Sequence, residues 1–445
     1  MPVRHLRAAP ARTGGSPLSP RAHVARTAAA LAAAMGIGRF GFTPILPLMH
    51  AQAGLSASAG ANLATANYVG YLAGALAGIL APAPVRSPAL LRVALVVLTG
   101  TLAAMPATHD VHLWITLRLL AGAASALVFV IAVGSLHGNL RGHPAHLSGW
   151  AFGGVGTGIA LSGLLVLGLH SVADWRVAWW ASAALAALFT AGAWRLRPET
   201  APVREPQAGP GAAPGVRTGA PWPGTTAPRA GPPAAERTTT RTRRWFTTLF
   251  ASYTLEGVGY IVAGTFLVAA IEQSSPGPVG NAAWVLVGLA AVPSSAMWAG
   301  LGRRWSHPDL LLAALVVQAI GIALPALIGG VTAALISAVL FGATFIGVST
   351  LALAAGAHLR FPRSVALLTA GYSVGQILGP LVVAPLLHHG YHRALIVAAV
   401  VVLAAAAAAG LLRIGFPSQA VVPGGAAPGR RTGATPTAGP DRSGA

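Results

Sequence analysis

The sequence predicts an all-α membrane protein: twelve transmembrane helices arranged as two pseudo-symmetric six-helix bundles. Three observations carry this. Of the 445 residues, 54% are hydrophobic and only 9% charged, with a mean hydropathy of +0.66, whereas soluble domains carry about 25% charged residues. Apolar stretches of about 20 residues, enough to cross a bilayer, recur along the chain. Short motifs in the first half return in the second at a near-constant offset of about 220 residues.

The spans are expected at 27–49, 59–82, 90–107, 112–135, 147–170, 175–195, 245–271, 281–301, 309–328, 331–355, 364–387 and 391–414. The first is the most informative. The run Thr27–Met35 leads into Gly36-Ile-Gly-Arg-Phe-Gly-Phe-Thr-Pro-Ile-Leu-Pro-Leu-Met49, which carries one cation, Arg39, near its middle. Burying an arginine there costs about 2.5–3.5 kcal/mol on insertion scales, so Arg39 is expected to face a protein interior or a wet cavity. The glycines permit close helix approach, and Pro44 and Pro47 loosen the backbone as in helices that line a pathway. This run is too long for a signal peptide, so a retained first span is expected.

Arginine sets the orientation. The chain has no lysine, and its 29 basic residues are all arginine. One set of loops holds Arg86 and Arg92, Arg141, the stretch Arg195 to Arg244, Arg303 and Arg304, and Arg360 and Arg363. The opposite loops (51–58, 108–111, 171–174, 272–280, 329–330 and 388–390) hold none, but do contain Asp110, Asp174 and Glu272. By the positive-inside rule both termini are cytoplasmic, in a cytoplasmic membrane.

Residues 1–26 are expected to be a disordered cytoplasmic N-terminus. The first bundle spans 27–197, and 198–243, rich in Pro, Gly, Thr and Arg, is a disordered cytoplasmic linker. The second bundle spans 244–415 and a disordered tail 416–445. The net charge of +20 is concentrated in these tethers and loops, which argues against nucleic acid as a partner; a basic linker can touch anionic lipid head groups, and the plainer reading is a solvated tether. The repeat supports the six-and-six division. Gly36-Ile-Gly-Arg-Phe returns as Gly257-Val-Gly-Tyr-Ile, Leu120-Ala-Gly-Ala as Leu340-Phe-Gly-Ala, and Val155-Gly-Thr as Val374-Gly-Gln. Repeated halves with a ligand site between them near the midplane form a transporter architecture.

Of nine carboxylates only Glu256 lies deep in a span. It stands about 18 Å along its helix past Arg244, a depth close to that of Arg39 past Arg26 in the other half. Burial and a nearby cation act on a carboxyl's proton in opposite senses. Glu256 beside Arg39 would exchange a proton during transport or counter a charged substrate; a static Arg39–Glu256 pair that fixes the two halves is the structural alternative. Arg118 sits among small residues in the fourth span. Tyr260 is the repeat-mate of Arg39. Gln376, polar in an apolar helix, makes either an interhelical hydrogen bond or a substrate contact. Asn67 and Tyr71 share a helix face at i, i+4 and are weaker ligand candidates. The glycines of the fifth span (Gly149, Gly153, Gly154, Gly156 and Gly158) are expected to serve packing.

There is no cysteine, no catalytic constellation, no metal-ligand cluster and no phosphate-cradling loop. An enzyme and an ATP-driven pump are therefore not expected, nor a cofactor. The reading is a secondary transporter, expected as a monomer, moving a small organic solute by alternating access and coupled to protons. The cations favour an anionic or polar solute. A lipid flippase of the same fold and a non-transporting membrane sensor or scaffold are the alternatives.

Five segments add a resemblance: Gly36–Pro47, Ala66–Ala75, Gly259–Leu267, Thr344-Phe-Ile-Gly347 and Leu368-Thr-Ala-Gly-Tyr-Ser-Val-Gly-Gln-Ile-Leu-Gly-Pro380. Over essentially all of 27–414 the chain resembles the major facilitator superfamily, and within it the YbfB/YjiJ-type group. The resemblance implies that superfamily's fold and transport activity. Arg118 with Gly122 resembles the helix-4 motif linked to proton coupling. Two departures are visible: Gly154 stands where the antiporter motif has proline, and Pro82 stands where the loop 2–3 motif has an acid.

Overall fold

A computed structural model describes residues 19–81, 87–140, 145–169, 174–197 and 234–417. The predicted disordered tethers fall largely outside these residues, as do Pro82, Arg86 and Arg141. Among the described residues the chain forms twelve long helical segments and no strand. They are α1 (Pro20–Ala53), α2 (Ala57–Leu80), α3 (Pro88–Ala107), α4 (Val111–Asn139), α5 (Ala145–Leu169) and α6 (Trp175–Ala193) in the first half. The second half has α7 (Ala234–Ser274), α8 (Val279–Leu301), α9 (His307–Leu327), α10 (Gly330–His358), α11 (Ser364–His389) and α12 (Tyr391–Leu412).

Among the described residues, ten of the twelve are long and apolar enough to cross a membrane; α2 and α6 are not among them. Three tryptophans and Arg176 dilute the hydropathy of the 19-residue α6. In α2, Asn67 is fully buried in protein rather than facing lipid.

Two helices begin before the expected points. Ser19 caps α1 by accepting a hydrogen bond from Ala22 N–H, and Pro20 takes the first helical position, so residues 20–26 are helix rather than tether. Helix α7 starts at Ala234, directly after Pro232 and Pro233, and runs unbroken through the last ten residues assigned to the linker. No proline or glycine interrupts 234–256, so nothing stops the helix from extending beyond the apolar run.

The two sets of six helices meet chiefly along α5 with α8, α2 with α11, and α1 with α7. Glycine makes the first contact possible. A methyl group on Gly149, Gly153 or Gly156 would run into the α8 backbone at Ala296, Val292 or Gly288. The other face of α5 presents Gly154 and Gly158 to the α1 backbone at Ala28 and Ala32. The predicted packing role of this run is thus met on two faces at once.

The repeat is visible in the contacts. Gly122 of α4 sits against the backbone carbonyl of Asn67 on α2, and Gly342 of α10 sits in the same way against that of Val287 on α8. Both partners and both glycines are about 220 positions apart. Outward-facing leucines and valines such as Leu188, Leu289, Val400 and Leu403 stay exposed, as a bilayer-facing surface requires.

Candidate functional site

Helix α1 is not continuous. A π-helical turn over Ala32–Ile37 leads into a non-helical turn at 38–41, and the α-helix resumes at Phe42. Pro44 gives the physical reason: it lacks an N–H, and its ring would clash with the carbonyl four residues back, at Phe40. Placed in the first turn of a new helix, it costs nothing. Gly38 and Gly41 keep helical φ, and the glycines instead leave room: a Cβ on Gly36 would run into the α5 backbone at Gly158, and one on Gly41 into the Ile37 carbonyl.

Arg39 lies in that break, only 3% exposed. Its Nη2 donates to Gln376 Oε1 on α11 at 2.5 Å. Its guanidinium carbon sits 4.3 Å from the centre of the Tyr71 ring, 5.0 Å from Tyr68 and 5.4 Å from Phe40. Aromatic faces attract a cation most strongly when water is excluded. They hold Arg39 where a free arginine would be expensive. Its Nε has no hydrogen-bond partner.

Gln376 extends the link, since its Nε2 donates to the Tyr260 hydroxyl at 2.7 Å. Arg39 and its repeat-mate Tyr260 are thereby joined through one amide, across the boundary between the halves. Two nearby bonds also cross it. Thr43 Oγ1 donates to the Gly264 carbonyl at 2.5 Å, and the Tyr68 hydroxyl pairs with Thr265 Oγ1 at 2.8 Å. Because Thr265 already donates to the Ile261 carbonyl, Tyr68 is the donor in that pair.

On the second half's side the cluster is backed by a column of parallel rings. Tyr253 stacks on Tyr372 (4.3 Å, 13° between planes), Tyr372 on Tyr260 (5.3 Å, 9°), Tyr260 on Phe345 (6.1 Å, 7°) and Phe345 on Phe341 (5.5 Å, 14°). Of these five, only Tyr260 is expected from the sequence as a site residue. A signal was available: Tyr253, Gly257, Tyr260 and Gly264 lie at spacings of four, three and four, on one face of α7.

Arg118 points into the α1 break. Its Nη1 donates to the Gly38 carbonyl (3.1 Å) and its Nη2 to the Arg39 carbonyl (3.2 Å), and it packs over Phe42 at 4.9 Å. These two acceptors lie where the break interrupts the helical ladder. Arg118 therefore satisfies the broken backbone of α1 from α4. Asn67 completes the arrangement by donating from Nδ2 to the Arg118 carbonyl at 2.9 Å. Tyr71 is part of the Arg39 cage, whereas Asn67 is one layer behind it.

Glu256 is fully buried but not beside Arg39. Gln318 of α9 donates from Nε2 to Glu256 Oε1 at 3.4 Å, and Glu256 Oε2 has no partner. Among the described residues the two do not form an ion pair, so the static Arg39–Glu256 bridge is not present. Helix rotation explains this. Glu256 shares a face of α7 with Ser252, which donates to the Ala405 carbonyl, and Gly259, which abuts Val402 and Ala398. That face is turned to α12, while Gly257 and Tyr260 look toward α11. Gln318 went unmarked in the sequence, where it is one polar residue in an apolar span.

A family model described as "Uncharacterised MFS-type transporter YbfB" matches residues 31–218 and 215–410. The chain belongs to this family. It is therefore a multi-pass membrane protein of a transporter family rather than an enzyme family. A comparison with curated protein sequences finds no match. Among solved structures, a crystal structure of a mutant of the nucleoside transporter NupG is similar, with a TM-score of 0.64 and 13% identity. The match covers 88% of this chain and 100% of that one. At that identity the likeness is one of fold, and it agrees with the architecture described above.

Proposed function

We propose that this family member is a secondary active transporter that moves a small organic solute across the cytoplasmic membrane by alternating access, coupled to protons. Both termini would lie in the cytoplasm, and the transporter would act as a monomer. The observation that carries the reading is the Arg39–Gln376–Tyr260 link. A buried cation in a broken helix is bonded to one polar residue of the opposite half, beside a wall of aromatic rings. A solute with a carboxylate or other anionic group would exchange with Gln376 for the guanidinium, and its apolar part would lie against the Tyr260 and Tyr372 rings. Because the link crosses the boundary between halves, replacing it with a ligand changes what holds the halves together. That is the coupling between binding and access that alternation needs.

In this account Glu256 is the protonatable group and acts from inside the second half, through α7, rather than by touching the solute. Arg118 holds the α1 break in shape. The test uses purified protein in liposomes loaded with a pH-sensitive dye, challenged with a series of organic anions under an imposed pH gradient. The expected result is solute-triggered proton movement in wild type, lost in Glu256→Gln while solute binding persists. Solute movement that ignores the pH gradient, or wild-type proton coupling in Glu256→Gln, would overturn the coupling assignment.

A further inference from the structure

The outer surface of the first half carries a groove of about 690 Å³ between α3 and α6, near the start of α1. It lies away from the Arg39 cluster, and nothing in the transport reading uses it. Its two ends differ in chemistry. The mouth holds Arg26 and Arg195, with Trp194 beside them, and the floor runs over Val96, Gly100 and Ala187, with the hydroxyls of Thr99 and Thr190 3.5 Å from each other beside it. From Arg195 to Ala187 is about 12 Å along the helix at 1.5 Å per residue. A third cation, Arg92, lies one turn from Val96, with its guanidinium carbon 5.3 Å from the centre of the Trp194 ring.

Helix capping explains part of this. Arg26 Nη1 donates to the Arg195 carbonyl at 3.5 Å, and Arg92 Nε donates to the Trp194 carbonyl at 3.2 Å, so both satisfy the last turn of α6. It does not explain Arg195 itself, which is exposed at the mouth. Nor does it explain Gly100. Unlike the glycines of α5, Gly100 approaches no other backbone: a Cβ there would meet nothing within 4 Å. At this position the absent side chain leaves the groove open.

We propose that this groove binds an anionic phospholipid. Its phosphate rests on Arg26 and Arg195, with Arg92 adding to the local positive charge, and one acyl chain lies over Gly100 toward Ala187. A cationic mouth with a mostly apolar floor of this length fits an amphiphile. Basic pockets between membrane helices on the cytoplasmic side are where anionic lipid head groups are held. A free anion would make no use of the floor, and a zwitterionic lipid gains less from three arginines.

The test is thermal unfolding of the detergent-purified full chain with phosphatidylglycerol, with phosphatidylcholine of the same acyl chains, and with inorganic phosphate alone. A molecule that binds only the folded state raises the midpoint in proportion to its occupancy. Phosphatidylglycerol is expected to raise it, and the other two are not. Removing both cations in Arg26→Ala/Arg195→Ala should weaken the apparent affinity more than tenfold, at about 1 kcal/mol per arginine. Gly100→Leu should fill the floor and abolish the shift while leaving the lipid-free midpoint in place. That variant decides the matter if the double mutant proves unstable. An equal shift with phosphatidylcholine, an equal shift with phosphate alone, or a full phosphatidylglycerol shift in Gly100→Leu would overturn the assignment.

Discussion

Two buried arginines, Arg39 and Arg118, sit next to each other in space and have opposite relations to the backbone. Arg39 points away from the α1 break into an aromatic cage and bonds one side-chain amide, while Arg118 points into the break and bonds two carbonyls. In the proposed account the first exchanges its partner for a ligand. The second cannot without leaving buried acceptors empty, at about 1–3 kcal/mol each. Arg118→Met, which keeps the bulk but not the donors, is therefore expected to lower stability by roughly 2–4 kcal/mol, read as a drop in the unfolding midpoint. An unchanged midpoint would show that the break needs no donor. The sequence made both arginines visible as costly residues, because a cation in an apolar run stands out. It did not separate their roles, which depend on which way each side chain turns at a kink. Glu256 shows the same limit. Its depth was readable by counting residues from Arg244, but its direction was not, since one residue of helical rotation separates a face toward α12 from a face toward α11.

At the scale of elements, α5 is the hinge between reading and structure. Its glycines were legible as packing residues, but one chain of letters cannot say that alternate ones serve different neighbours. Gly156 and Gly153 let α5 approach α8 of the opposite half, and Gly154 and Gly158 let it approach α1. Gly156→Leu is expected to push α5 from α8 and loosen the halves, while Gly168→Leu is expected to be silent, since a Cβ there would meet nothing within 4 Å. Comparing the unfolding midpoints of the two variants checks this. Equal effects would mean that the close approach contributes nothing. The early starts of α1 and α7 have a simpler cause. Hydropathy marks where a helix enters the bilayer, whereas Ser19, Pro20 and the prolines before Ala234 mark where it begins.

At the scale of the whole molecule, the repeat carried the most information. It divided the chain six and six, and the paired contacts Gly122–Asn67 and Gly342–Val287 reproduce it in space. What it could not supply is where the halves touch, because sequence symmetry says nothing about the axis. The orientation proposed from arginine placement is open to direct measurement. The chain has no cysteine, so single thiols can be labelled without background. With a membrane-impermeant maleimide on intact cells, Ala107→Cys is expected to react from outside and Arg303→Cys only after lysis; the reverse pattern would invert the topology.

The central claim is that Arg39 is the group the solute meets. The most direct measurement is the unfolding midpoint of wild type and Arg39→Ala across the same series of small organic anions. A compound held by the cage at a hundred times its dissociation constant stabilises the folded state by about 2.7 kcal/mol. The account predicts at least one anion that raises the wild-type midpoint and leaves that of Arg39→Ala unmoved. An anion that stabilises both proteins equally would contradict it, and would make Arg39 a structural bridge to Gln376 rather than the substrate's counter-ion.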